Sequence, residues 1–324
     1  NCICVTTENQ SPTPEDRIYY PMQMYHTAAL SRFLAYMYAG GTFIGSKTFD
    51  PERYLDMVEK ERTTFIVGNP TIFRMLLEIN KKRPRDTSSI KSWLCSQGFL
   101  HKDLKEEVEK YLWPHARLYV SYALTEASPA VTILKPWDKP REWGSLGRPY
   151  MCTEVRIVDE QDQALPIGKE GEMIVRGPTV FKGYYKNPEE TAKALKGGWL
   201  HTGDVGRYDD LGYLYFVDRI KDMIKTGGIN VYGQEIERVL SLHPDVDEGV
   251  VIGVPHPKWG ESIRAIIVPK KGSHLTEEAV IHHCRQRLAS HKKPTSVLFV
   301  EELPKGSFGG KVLKRVLREK YGKA

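Results

Sequence analysis

The chain reads as α/β: part of a large lobe built on a mainly parallel sheet, then a β-rich, barrel-like piece, then a smaller α+β domain. Three observations carry this reading. Short apolar runs alternate with helical segments between residues 50 and 121, the pattern of buried parallel strands with crossover helices. Between about 140 and 219 the strands shorten and are punctuated by Gly144, Gly147, Gly168, Gly171, Gly177 and Gly183, as in a small sheet or barrel. After Asp218 helices and strands mix again over about 100 residues, enough for a separate domain. The boundaries are placed at 1–140, 141–219 and 220–324, and no internal repeat is found.

Each element has a local cause. Asp50-Pro51 makes a helix cap and first turn for a helix over 51–61, and Thr64-Phe65-Ile66-Val67 is a short apolar strand ended by Gly68. Pro70 opens a second helix. Ser92–Cys95 reads as strand, Lys102–Tyr111 as helix and 117–121 as strand. In the middle, 154–158 and 172–175 are strands. Helices are expected near 234–241 and 277–289, strands near 249–254, 264–269 and 296–300, and a basic helix closes the chain.

Composition bounds the rest. With 324 residues, 40% hydrophobic and 27% charged, and a mean hydropathy of −0.43, the chain can bury a core. At about 100–200 residues per domain it holds two domains or a multi-lobed one. Collagen-like, coiled-coil and wholly disordered readings are excluded. No apolar run approaches the roughly 18 residues of a membrane span, and Asn1-Cys2-Ile3-Cys4 does not open a secretory signal. A cytoplasmic location is expected. Cys2, Cys4, Cys95, Cys152 and Cys284 form no paired motif, so reduced, mostly buried thiols are expected. The net charge of +6 is concentrated partly at Lys311, Lys314, Arg315, Arg318, Lys320 and Lys323. A solvated helix face is the plain reading of that run; a nucleic-acid module lacks the interleaved aromatics it would need.

Four segments could carry chemistry. Ligands of open α/β sheets sit beyond the carboxyl ends of the strands, where Tyr122-Ala123-Leu124-Thr125-Glu126 falls. Thr125 can donate to a phosphoryl oxygen and Glu126 offers the hard oxygen that Mg²⁺ prefers, although the pair equally suits a helix start. In Trp199-Leu200-His201-Thr202-Gly203-Asp204, glycine admits a ligand and Asp204 can accept from two adjacent hydroxyls, as on a ribose. His201 is expected to be a structural histidine in a turn, with no catalytic role. Asp218-Arg219-Ile220-Lys221-Asp222-Met223-Ile224-Lys225-Thr226-Gly227-Gly228 lies at the change of texture, where glycines serve as turn, pivot or close approach. In Pro304-Lys305-Gly306-Ser307-Phe308-Gly309-Gly310-Lys311 a lysine ends a glycine-rich loop, a mobile charge able to neutralise a carboxylate and a phosphate pushed together.

In this order and spacing the segments resemble the adenylate-forming superfamily of acyl-CoA synthetases, firefly luciferases and nonribosomal-peptide adenylation domains, over nearly the whole chain. The resemblance implies catalytic roles for Lys311, Thr125 and Glu126, with Glu126 as the magnesium ligand. It implies nucleotide contacts at Gly98, Ser121, Tyr122, Asp204, Arg219 and Lys225, with the Tyr122 ring against adenine and Asp204 and Arg219 at the ribose. Lys221 matches the hinge, Gly227 and Gly228 the loop beside the CoA thiol, and His26 and Ala123 the acyl pocket. The implied co-substrates are ATP and CoA with Mg²⁺, and the implied substrate is a carboxylic acid, fatty or aromatic. It attacks the α-phosphate of ATP to give an acyl-adenylate and pyrophosphate, and the CoA thiol then displaces AMP. A homodimer is compatible with the reading.

The sequence also departs from the family. Ala123 stands for the usual glycine, Ser96-Gln97-Gly98-Phe99-Leu100 replaces a Gly-Gly-Ala-Pro-Leu type of loop, and the loop before Lys311 is one residue longer. The Ser/Thr/Gly-rich phosphate loop expected some tens of residues before His26 is missing, and Gly40 to Lys47 mimics it only in composition. The chain is therefore expected to be the C-terminal part of a longer enzyme, with little adenylation by itself. Three alternatives stand beside the ligase: amino-acid or aryl-acid adenylation for a carrier protein, luciferase-like oxygenation and a non-catalytic nucleotide-binding fragment. An amino-acid substrate would favour an aspartate near His26, where Tyr25-His26-Thr27-Ala28 has no carboxylate.

Overall fold

The computed structural model describes residue 3 and residues 11–128, 131–306 and 312–322. It divides into two compact units, one of residues 1–202 and 207–216, the other of residues 203–206 and 217–324.

In the first unit the chain runs β1 (Arg17–Tyr20), α1 (Thr27–Ala39), β2 (Thr42–Gly45), α2 (Pro51–Glu61), β3 (Phe65–Gly68), α3 (Pro70–Lys82), β4 (Ser92–Cys95), α4 (Lys102–Tyr111) and β5 (Arg117–Tyr122). The expected Asp50 cap is in place: Asp50 accepts a hydrogen bond from the Arg53 amide at 2.7 Å, and Asn69, which the sequence reading did not name, accepts from the Ile72 amide at 2.9 Å. Each precedes a proline at the first helical position, where the missing N–H costs nothing. The five strands pair in parallel in the order β2-β1-β3-β4-β5. Successive strand residues point to opposite faces. Tyr19, Ile66, Trp93 and Cys95 pack with Leu55, Phe73, Leu76 and Val108 of α2, α3 and α4 on one face. Ile18, Tyr20, Phe65, Val67 and Leu94 pack with Ala29 and Tyr36 of α1 on the other.

The β-rich stretch continues this sheet. It comprises β6 (Thr132–Leu134), β7 (Ser145–Pro149), β8 (Glu154–Val158), β9 (Gly171–Arg176), α5 (Pro188–Ala194), β10 (Leu195–Lys196), β11 (Trp199–Tyr208) and β12 (Leu214–Arg219). The ladder passes from β5 through β6 and β7 to β12, β11, β9 and β8. Gly147 makes the passage possible: at φ +81° a Cβ there would sit 1.9 Å from the Ile133 carbonyl oxygen.

The second unit holds β13 (Ile224–Thr226), β14 (Ile229–Val231), α6 (Gly233–Ser241), β15 (Val246–His256), β16 (Gly260–Pro269), α7 (Glu277–Arg285), β17 (Ser296–Phe299) and α8 (Lys314–Tyr321). A sheet of order β14-β13-β16-β15, with β17 parallel to β16, buries both faces. Ile236, Leu240, Val251, Ile263 and Val280 fill the α6 and α7 side, while Val250, Ile252, Ile266 and Leu317 fill the α8 side. The expected helix over 277–289 ends at Arg285, and the Gln286 amide donates back to the His282 carbonyl as it closes. Cys95 and Cys284 are buried free thiols and Cys152 is exposed.

Candidate active site

Parallel strands end at a common edge, so the segments after β1, β3, β4 and β5 open on one side of the first unit's sheet. His26 follows β1 as the residue before α1; its carbonyl accepts from the Ala29 and Leu30 amides, and its ring lies 4.8 Å from that of Tyr25. Gly98 follows β4 and is exposed. A Cβ there would meet Pro70 at 3.1 Å, so glycine leaves this rim low. Ser121 is buried in β5 beside the end of β4, with Cys95 opposite Val120. Tyr122 ends the strand, its ring 6.5 Å from that of Phe216.

Thr125 and Glu126 lie in a 3₁₀ turn, Thr125–Ala127, directly beyond that strand. Buried Ala127 anchors the turn, Thr125 is exposed and Glu126 is half-buried. The carboxylate is oriented from a distant loop: the Tyr184 hydroxyl donates to Glu126 Oε1 at 2.8 Å, and the Phe181 amide donates to the Glu126 carbonyl at 2.8 Å. Burial, then the bond to Glu126, pushes the Tyr184 phenol up to about 12. Among the described residues no three His, Cys, Asp or Glu side chains gather as a metal cage. A lone carboxylate beside an exposed hydroxyl nevertheless fits Mg²⁺, which takes one or two carboxylates and fills its shell with phosphate and water oxygens.

In the second unit Asp204 and Arg219, fifteen residues apart in sequence, come together, with Arg219 Nε 3.3 Å from Asp204 Oδ1. Asp204 is 8% exposed, so its carboxylate is held in place for a donor. Lys221 is exposed on a 3₁₀ turn, Ile220–Asp222. Lys225 is exposed on β13, and its amide donates to Glu261 Oε2 at 2.7 Å. Gly227 and Gly228, at φ 59° and 79°, form the two-residue turn between β13 and β14, a conformation that favours glycine at both positions. The Gly227 amide donates to the Trp259 carbonyl at 2.9 Å. Lys311 lies outside the described residues.

Two expectations are corrected. His201 is on strand β11, where its Nδ1 lies 2.9 Å from Glu172 Oε2; Gly203, which suggested a turn, takes its positive φ within the strand. The last helix is not wholly a solvated face, because Lys314 is 8% exposed and paired with Glu237 at 2.7 Å. Sequence reasoning missed Tyr184 as well. It is 58 residues from Glu126, and the Gly-Tyr-Tyr run that contains it carried no periodicity to flag it.

The AMP-binding enzyme family matches residues 1–185, and the AMP-binding enzyme C-terminal domain matches residues 235–309. A feruloyl-CoA synthase of Amycolatopsis sp. is 38% identical over 323 residues, covering 99% of this chain and 65% of that protein. A long-chain-fatty-acid–CoA ligase of Bacillus subtilis is 41% identical over 272 residues, covering 84% of this chain and 48% of its own length. The chain thus spans less than two thirds of these relatives. Among solved structures, ATP-bound MatB from Rhodopseudomonas palustris superposes with a TM-score of 0.89 at 34% identity, over 99% of this chain and 63% of that one. The o-succinylbenzoate CoA synthetase MenE of Bacillus subtilis, with ATP and magnesium, gives 0.86 at 28% identity, over 98% and 64%.

Proposed function

Because the chain belongs to the AMP-binding enzyme family, we propose that the protein is an AMP-forming acid–thiol ligase that converts a carboxylic acid, ATP and CoA to acyl-CoA, AMP and pyrophosphate. The Thr125–Glu126 pair just beyond β5 carries the reading, since it offers a hydroxyl and a carboxylate where a nucleotide phosphate binds in open α/β sheets. The relatives named above make a fatty or an aromatic acid the favoured substrate class. The absence of a carboxylate from Tyr25-His26-Thr27-Ala28 speaks against an amino acid.

In the first step the carboxylate oxygen attacks the α-phosphorus and pyrophosphate leaves. In the second the CoA sulfur attacks the acyl carbon and AMP leaves. Both develop negative charge on oxygen, so fixed donors and cations lower the barriers more than a proton-transfer residue would. Thr125 donates to a phosphate oxygen, Tyr122 supports the adenine and Asp204 accepts from the ribose hydroxyls with Arg219 holding it. Gly98 and Ser121 border the nucleotide, and His26 and Ala123 border the acyl group. Magnesium held by Glu126 would neutralise phosphate charge. Lys311 bridges carboxylate and phosphate in the first step; Lys225 and the Gly227–Gly228 turn serve the second, after a rotation about Lys221.

The test is a panel of carboxylic acids, hydroxycinnamic and long-chain fatty acids included, assayed with the full-length protein for AMP release with and without CoA. Release that needs an acid and yields a thioester only with CoA is expected. No acid-dependent release across the panel would overturn the reading.

A further inference from the structure

The turn that carries Lys221 is held by charges from the far end of the chain. Asp218 and Asp222, which flank Arg219 and Lys221, are 2% and 6% exposed. Asp218 Oδ1 accepts from the Arg219 amide at 2.8 Å, and its Oδ2 accepts from the Gln234 amide in the first turn of α6 at 3.1 Å. The Lys314 ammonium approaches the same place. A Cβ on Gly233 would lie 3.2 Å from Lys314 Nζ and 3.5 Å from Asp218 Oδ2, so both groups close on that point. Lys314 Nζ is also 2.7 Å from Glu237 Oε1, which accepts from the Val251 amide at 3.0 Å. Burial opposes charge on Lys314, yet Glu237, Asp218 and Asp222 outweigh it and keep the ammonium above its ordinary pKa.

One helical turn further on, Arg318 Nη2 lies 2.9 Å from Asp222 Oδ1. Lys314 and Arg318 are four apart and share a face of α8. Leu317, 1% exposed, seats the helix in the core. The other end of α8 is fixed as well, because Arg264 donates to the Tyr321 carbonyl at 2.7 Å. At its start the Leu313 amide donates to the Pro304 carbonyl at 2.8 Å, and Val312 pairs with Lys305. Residue 311 is covalently next to that bridge. Apolar packing alone lets a helix slide by fractions of an ångström; the charge-assisted bond from Arg318 to Asp222 on the turn, with the Lys314–Glu237 pair on α6, fixes its register.

We propose, on the basis of the ligase reading above, that Arg318, bonded to Asp222, and Lys314, paired with Glu237, are positioning residues that bind α8, which follows the Lys311 loop, to the hinge turn and to α6 as one piece, so that rotation at Lys221 carries Lys311 to the substrate without play. Neither residue touches the reacting atoms.

The test compares Arg318→Met, Arg318→Lys and Asp222→Asn in the full-length protein. Arg318→Met and Asp222→Asn lower kcat for adenylation about ten- to a hundredfold, the loss expected of a catalytic group misplaced by about 1 Å, with KM for ATP and acid unchanged. Arg318→Lys restores most of kcat. Hydrogen–deuterium exchange of residues 219–224 rises in Arg318→Met without any substrate present. Unchanged kcat in both charge-removing variants, or a loss that kcat and KM share, overturns the proposal. A wild-type protein that adenylates no acid removes the ligase reading itself; exchange at 219–224 then still decides the clamp, with a rise in Arg318→Met supporting it and no change overturning it.

Discussion

His283 shows what one buried side chain does to the pH dependence of stability. It is 9% exposed on α7, its Nε2 donates to the Val239 carbonyl at 2.9 Å, and the His243 ring lies 4.9 Å away. Burial, with Arg287 and His243 adding to it, pulls its pKa below the ordinary 6.5, while the bond to Val239 works the other way. The folded protein therefore keeps this ring neutral where the unfolded chain has begun to protonate. The sign follows: the contribution is complete above pH 6.5 and is lost as pH falls through the lowered folded value. Thermal midpoints measured from pH 7.5 downwards should fall less steeply for His283→Gln than for wild type. Parallel curves would remove the assignment.

At the scale of elements, local chemistry was legible and burial of charge was not. Asp50-Pro51 and Pro70 announced two helices because a cap and a proline act within one turn. β4 and α4 coincide with the expected ranges, since short apolar runs and amphipathic spacing are local signals. Lys314 looked solvated for the opposite reason: the carboxylates that keep it charged despite its burial come from residues 218, 222 and 237, and nothing in the run of basic residues around it marks that. Likewise Asp204 was expected at the ribose, but its ion pair with Arg219 needed the fold to bring the two together. The β13–β14 turn belongs to the legible class. Gly227→Ala would place a Cβ 3.1 Å from the Trp259 ring at φ +59°, and the left-handed conformation costs an L-residue about 1–2 kcal/mol. A loss of that size in the unfolding free energy of the second unit, read from denaturant titration, is expected; no loss would mean the turn relaxes freely.

For the whole molecule, the two-faced core follows from alternation along each strand, and the carboxyl edge of the parallel sheet gathers segments that lie far apart in the chain. What pattern alone left unsaid was that the β-rich stretch extends the large sheet through β7. The proposed mechanism divides two half-reactions between groups carried by one unit, so stiffness at its attachment must affect them unequally. Lys221→Pro, which removes an N–H and fixes φ in the 3₁₀ turn, should spare carboxylate-dependent pyrophosphate exchange and slow thioester formation. Equal rates in both assays for variant and wild type would exclude a hinge there.

The division of labour is tested most directly by Lys311→Ala in the full-length protein, assayed separately for pyrophosphate exchange and for thioester formation from supplied acyl-adenylate. Exchange is expected to fall by about 10²–10³, the usual loss when a charge-stabilising group is removed, while thioester formation stays near the wild-type rate. Equal loss of the two activities would contradict the account.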